Sequence, residues 1–284
     1  MMKIHAIDTG LFKLDGGAMF GVVPKSMWQK IYPADANNMC TWAMRSLLIE
    51  DGDRLILIDS GIGDKQDAKF LSRFDVQVDG VLEQSLRALG FTRANVTDVF
   101  MTHLHFDHVG GAVVRRPDGA LALAFPNATY WSNEAHWDWA THPNPREKAS
   151  FLAENILPIR ESGHLRFVDP AAGVPAELPQ FRELLFADGH TEKLMVPVVS
   201  HKGRTLAFMA DLLPSAAHVP LPYIMSYDVR PLVSMAEKET VLRRAADENW
   251  ILMLEHDPTH ECCTVEYTEK GIRLAETFRL ADLG

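Results

Sequence analysis

The sequence predicts an α/β fold in which two related strand-and-helix layers share one domain over residues 1–284. Two observations carry this prediction. Each half of the chain places β-rich apolar segments first and helical spacing after them, the order expected of layered α/β packing. No short repeat or low-complexity linker divides the halves.

The elements follow in order. Ile4–Leu14 alternates loosely and reads as a strand ending in a turn at Gly16-Gly17. Residues 16–43 carry Met, Phe, Trp and Pro without a clear period and read as a long loop, a length that in compact domains usually has a function. MRSLLIED and RLILIDSG flank Asp51-Gly52-Asp53, and the Asp-Gly turn between β-rich arms marks a hairpin. Asp79–Leu89 sets Val81, Leu82, Leu86 and Leu89 at helical spacing, with Gly90 as the stop. TDVFMT (97–102) is a short apolar strand that runs straight into HLHFDHVGG. Residues 129–166 are Trp-rich and read as helical, broken at Pro143, Pro145 and Pro158, and a polar, Pro-marked stretch follows at 169–179. ELLFADG, LMVPVVS, RTLAFMAD and WILMLEHD read as strands, with a helix over 234–249.

Bulk properties narrow the function. A net charge of −10 and a pI near 5.6 argue against a nucleic-acid surface, which needs clustered Lys and Arg. Cys40, Cys262 and Cys263 make no disulfide framework and read as buried packing residues of a reducing compartment. The start MMKIHAIDTGLFKL lacks a basic-then-apolar leader, and no stretch approaches the ~18 apolar residues of a membrane span, so the expectation is a soluble, cytoplasmic protein.

The chemistry lies in His103-Leu-His105-Phe-Asp107-His108. Four potential ligands fall within one strand-end loop, and imidazole with carboxylate suits Zn, Fe, Mn or Co. Residues 103 and 105 can aim at one point, and 107 and 108 at a second. One cluster cannot fill two sites, since each ion takes at least three protein ligands. The further candidates sit at equivalent places: His190 follows a strand and Gly189, Asp211 ends TLAFMAD, and His256 ends ILMLEH. His260 lies off the strand after Pro258-Thr259, so His256 is preferred.

This ordered set resembles the metallo-β-lactamase superfamily. The HxHxDH motif reads His103, His105, Asp107, His108, and Gly189-His190-Thr191, Asp211 and His256 follow in the family's order. LLIEDGDRLILIDSGIGD (47–64) is similar to its early hairpin and Asp-Ser/Thr-Gly loop, so the resemblance spans nearly the whole chain. It implies an αββα four-layer sandwich, two mixed β-sheets flanked by helices. It implies His103, His105 and His190 on one metal, Asp107, His108 and His256 on the other, and Asp211 between them. Asp59 resembles the family's structural Asp, a plain turn former being the other reading. The expected cofactors are two divalent metal ions, zinc first, with a shared hydroxide as nucleophile. Asp107 is expected to relay a proton to the leaving group.

The closest resemblance is to quorum-quenching N-acyl homoserine lactonases and the methyl-parathion-hydrolase group. It implies a small-molecule lactone or ester substrate, with a phosphotriesterase as the runner-up. Such lactonases carry a Tyr three residues after the bridging Asp; Pro214 stands there, leaving Tyr223 or His218 to take its part. His218 is open between a substrate contact or proton donor and a structural histidine. Met19, Phe20, Trp28, Phe106, Tyr223 and Met225 are candidates for an apolar substrate pocket, against an ordinary core role. His5, His136, His142, His164 and His201 have no supporting context. A flavodiiron-like oxidoreductase would want a Glu among the ligands, and His190 followed by Thr191-Glu192-Lys193-Leu194-Met195 disfavours the glyoxalase-II branch. A non-catalytic metal-binding protein would hold metal without turnover. A homodimer is left open.

Overall fold

The computed structural model describes residues 2–283. Strand β1 (Lys3–Asp15) runs into two short helices, α1 (Gly16–Phe20) and α2 (Lys25–Trp28), before β2 (Met39–Asp51) and β3 (Arg54–Ile58). Helices α3 (Ala68–Ser72) and α4 (Val81–Ala88) lead to β4 (Asp98–Phe100) and directly to α5 (Phe106–Val109). A small hairpin, β5 (Val113–Arg115) and β6 (Leu121–Leu123), precedes β7 (Thr129–Asn133), α6 (Glu134–Thr141), α7 (Ala153–Glu161) and β8 (Leu165–Val168). The rest comprises β9 (Phe181–Ala187), β10 (Leu194–His201), β11 (Arg204–Phe208), α8 (Pro231–Glu248), β12 (Ile251–Met253), β13 (Cys262–Thr268) and β14 (Gly271–Phe278).

Two six-stranded sheets form, ordered β1-β2-β3-β4-β7-β8 and β14-β13-β12-β11-β10-β9. Both are mixed. In the first, β2 and β3 are antiparallel while β3, β4, β7 and β8 pair in parallel. In the second, only β11 and β12 are parallel, amid antiparallel neighbours. The chain resolves into two compact units, Met1–Leu11 with Met44–Gln180, and Phe12–Ala43 with Phe181–Gly284.

In the first unit the expected hairpin closes with Asp51 opposite Arg54, and Gly52 takes the positive φ (58°) that such a turn requires. Leu48, Leu57, Val99, Met101, Tyr130 and Ile159 belong to its core, and so do Leu104 and Val109. Those last two alternate with the His and Asp side chains of HLHFDHV, so burial of the apolar residues fixes the loop that carries the polar ones. In the second unit Leu206, Phe208, Ile251 and Met253 are fully buried or nearly so, as the continuous apolar runs of β11 and β12 demand.

Three readings need correction. Residues 16–43 are not one loop: they hold α1, α2 and the start of β2, elements of four or five residues too short to show a period. Met19, Phe20 and Trp28 line no pocket: each is at most 1% exposed. They pack within the second unit, Phe20 stacked on Trp28 at 5.4 Å. Residues 129–166 are not helical throughout either. They open on strand β7 and close on β8. Tyr130 and Trp131 fit a pleated, buried surface as well as a helix, and the parallel register with β4 decides for strand.

Cys40, Cys262 and Cys263 are buried thiols outside any disulfide, as expected of packing residues. Among the described residues no helix is long and apolar enough to cross a membrane.

Candidate metal centre

Parallel pairing explains where the polar groups gather. Adjacent parallel strands end on the same sheet edge, where α/β proteins place their ligands. In the first unit β3 pairs with β4 from Ile56↔Asp98 to Ile58↔Phe100, so Asp59 and the loop after Phe100 emerge together. Asp59 is fully buried, with a left-handed φ of 58°. Its carboxylate accepts from the Thr102 amide (2.8 Å) and the Thr102 hydroxyl (2.6 Å) and lies 3.2 Å from His108 Nδ1. The sequence-predicted structural Asp thus clamps the start and the far side of the HLHFDH loop at once.

The loop's histidines are fixed one by one. His103 Nδ1 lies 3.1 Å from the Thr102 hydroxyl, and its Nε2 lies 3.0 Å from His105 Nδ1. His105 Nε2 meets Glu147 Oε1 at 3.3 Å. Glu147, itself buried, is held by Trp139 Nε1 and Asn144 Nδ2, both donating at 2.7 Å. His108 Nε2 faces Asp107 Oδ2 at 3.8 Å, and the His103 and His108 rings are 3.9 Å apart. His136 is buried and its Nε2 accepts from the Leu104 amide at 2.8 Å, so it supports the loop backbone. Behind the motif, a Cβ on Gly110 or Gly111 would lie 2.0 or 2.1 Å from the carbonyl oxygens of Ile62 and Ser60, so only glycine fits. Lys65 donates to the Gly110 carbonyl, and burial pulls its ammonium down to about 7.

The second unit repeats the device. β11 and β12 pair in parallel from Leu206↔Ile251 to Phe208↔Met253, and their ends deliver Asp211 and His256. One Asp211 oxygen lies 2.9 Å from His256 Nε2 and the other 3.0 Å from His190 Nε2. The outer nitrogens are taken as well: His256 Nδ1 donates to the Ala43 carbonyl (2.8 Å), and His190 Nδ1 meets Asp228 at 2.8 Å. Burial by itself lowers the pKa of His190, but Asp211 first and then Asp228 outweigh it and raise it to about 10. Gly189 permits the approach of α8, since a Cβ there would lie 2.2 Å from the Ser234 nitrogen. Glu237 accepts from the amides of Asp188 (2.8 Å) and Gly189 (3.0 Å), stapling the loop before His190.

His218 and Tyr223 lie apart from these contacts. His218 is 1% exposed, with Nε2 donating to the Met19 carbonyl (2.9 Å) and Nδ1 accepting from the Ser215 hydroxyl (2.7 Å). Its ring stacks on Phe20 at 4.8 Å, and burial pushes it down to about 4. Both its nitrogens are engaged within the fold, and it holds the 16–43 segment in place. Tyr223 is half-buried, edge-on to Phe20, and its carbonyl accepts from Lys238. Lys238 is 1% exposed and also donates to the carbonyls of His218 (2.8 Å) and Pro220 (3.2 Å). Phe106 packs on Phe70 and Phe74 in the first unit.

Sequence reading missed Glu147, Asp228 and His136. Each reaches its histidine or loop from a distant segment at no fixed spacing, and no local signal marks it. Together the two half-sets are buried imidazole and carboxylate groups of the kind that hold metal ions.

Mixed sheets flanked by helices, with such groups at strand ends, define a metallohydrolase-type α/β protein. Residues 45–256 match the sequence profile of the metallo-β-lactamase superfamily, and the chain belongs to that family. It therefore has the metallo-β-lactamase fold expected from the sequence. A probable metal-dependent hydrolase from Staphylococcus aureus is similar over 98% of both chains, with 28% identity and a TM-score of 0.85. AidC, a dizinc quorum-quenching lactonase solved with a product, N-hexanoyl-L-homoserine, is 22% identical over 98% of this chain and 95% of its own, with a TM-score of 0.79. An N-acyl homoserine lactone hydrolase with N-hexanoyl-L-homoserine at its catalytic metal centre is 16% identical over 90% of this chain and 93% of its own, with a TM-score of 0.68.

Proposed function

We propose that this protein is a dinuclear metal-dependent hydrolase that opens lactones, N-acyl homoserine lactones first among them. His103, His105 and His190 would hold one cation and Asp107, His108 and His256 the other, with Asp211 within reach of both sets. One observation carries the reading. In all five imidazoles the outer nitrogen is engaged by a supporting group: Thr102, Glu147, Asp59, Asp228 or the Ala43 carbonyl. The inner nitrogen in each case faces another His or Asp of the set. Supporting partners that fix tautomer and ring orientation are the mark of metal-ligating histidines.

Bound divalent cations, zinc in the first instance, supply an acidified water and polarise the scissile carbonyl. The chain's own residues do the rest. The Asp107 carboxylate takes up a proton and hands it to the leaving alkoxide. Asp59 and Asp228 keep His108 and His190 oriented while charge develops. The Tyr223 hydroxyl is the remaining candidate to contact the substrate, His218 being locked in place. The similarity of fold to lactonases that hold an acyl-homoserine product favours lactones over phosphotriesters.

The test is a panel of acyl lactones, aryl esters, phosphotriesters and thioesters with metal-loaded protein. Long-chain acyl lactones should exceed phosphotriesters in kcat/KM by more than about tenfold, or ~1.4 kcal/mol of transition-state discrimination. Equal or reversed rates rule the lactonase reading out.

Metal loading should also expel a proton. His190 is held protonated in the metal-free protein up to about pH 10, whereas a ligand must be neutral. Affinity should therefore rise with pH through the neutral range, with ~1 proton released from His190 at pH 7. Calorimetry in two buffers of different ionisation enthalpy measures this, and Asp228→Asn should shrink the release. A proton count of zero would contradict the assignment of His190.

A further inference from the structure

A cavity of about 560 Å³ opens in the first unit beside α4, within the roughly 300–1,000 Å³ of small-molecule pockets. Leu86, Phe91, Val114 and Leu123 give it an apolar floor, and all four belong to the unit's core cluster or pack against it. Arg87, Arg93 and Arg116 supply its positive charge against one acid, Glu83. Glu83 is already paired with Arg93, which accepts no further acid readily because its guanidinium also lies 5.4 Å over Phe125. Arg87 and Arg116 are exposed; Glu83, paired with Arg93, also lies within reach of the Arg87 charge, while Arg116 has no acidic partner among the described residues. An adjoining hollow of about 410 Å³ shares Arg116 and Leu123 but runs on to Glu161, so it is the less welcoming side for an anion.

We propose that this cavity binds a small amphipathic anion, a medium-chain carboxylate, with its head between Arg87 and Arg116 and its chain along Phe91, Val114 and Leu123. Charge complementarity selects the head: three guanidiniums against a single carboxylate, on a protein of net charge −10, form a local exception that suits a carboxylate. Half-buried aromatic and aliphatic side chains select the tail, since covering them removes apolar surface from water. The site lies outside the HLHFDH loop, and the inference does not depend on the reaction catalysed.

The experiment is titration calorimetry of the full-length, metal-loaded protein with decanoate and with decanol, repeated on Arg87→Gln/Arg116→Gln. Decanoate should bind at least about tenfold more tightly than decanol, and the double substitution should remove that preference. Both positions are exposed, so an unchanged thermal melt will establish that the variant is folded. A third protein, Phe91→Glu, should lose decanoate binding by repelling head and tail alike. Absence of decanoate binding, equal binding of decanol, or decanoate affinity unaltered by the double substitution would each overturn the proposal. In the last case the carboxylate sits elsewhere, for instance on the cations themselves.

Discussion

Asp211→Ala should yield a folded protein that has lost stoichiometric metal and nearly all turnover. The carboxylate faces His190 with one oxygen and His256 with the other, at 3.0 and 2.9 Å, so it ties the two histidines together. Loss of a mere supporting partner typically costs ~10–100-fold in metal affinity or activity, and loss of a shared ligand should cost more. The substitution also removes the charge that does most to raise the pKa of His190, so the proton released on metal loading should fall with it. Elemental analysis after reconstitution, beside kcat/KM on the best lactone, measures both effects. An alanine variant that keeps its metal and stays within about threefold in rate would exclude Asp211 as a ligand.

The second large effect belongs to stability. Asp59→Ala deletes an acceptor that serves the Thr102 amide, the Thr102 hydroxyl and His108 Nδ1 in a fully buried place. Each buried polar group left without a partner costs ~1–3 kcal/mol, not additively, and alanine at a left-handed φ adds ~1–2 kcal/mol. A total of ~3–5 kcal/mol should lower Tm by roughly 6–15 °C for a chain of this size. The metal-free protein is the right sample, because bound ions would mask the loss. Asp59→Asn separates the roles: its amide oxygen can still accept from Thr102, so folding should largely survive while His108 loses its anionic partner. An unchanged melt for the alanine variant would show that the loop is held by other means.

The set of candidate ligands was readable because it obeys a rule about strands. Apolar segments of period or length typical of β-structure each end on one polar residue, and the chain cannot bury the strand without presenting that residue at the sheet edge. His103, His105, Asp107, His108, His190, Asp211 and His256 were all legible this way. Their supports were not. Glu147 reaches His105 across 42 residues, and Asp228 reaches His190 across 38, from loops that packing alone positions. Composition also could not tell a pocket wall from a core. Phe20 and Trp28 read equally well as either until their stacking is seen. The hairpin of β13 and β14 escaped notice because β14 has mostly exposed or half-buried side chains, which blur the alternation of a half-buried strand.

Both half-sets hang from a parallel strand pair, β3 with β4 and β11 with β12. Parallel partners cannot be joined by a tight turn: Asp59 and His108 stand 49 residues apart, and the intervening chain must be closed into a long loop before they meet. Non-local ladders of this sort are slow to form. A cation bound where such ladders end should find its site completed late in folding. Its grip falls on contacts made after the barrier is crossed, so occupancy should retard the escape from the native state while leaving the speed of reaching it unaltered. In this architecture bound ions would double as a lock on the protein's lifetime.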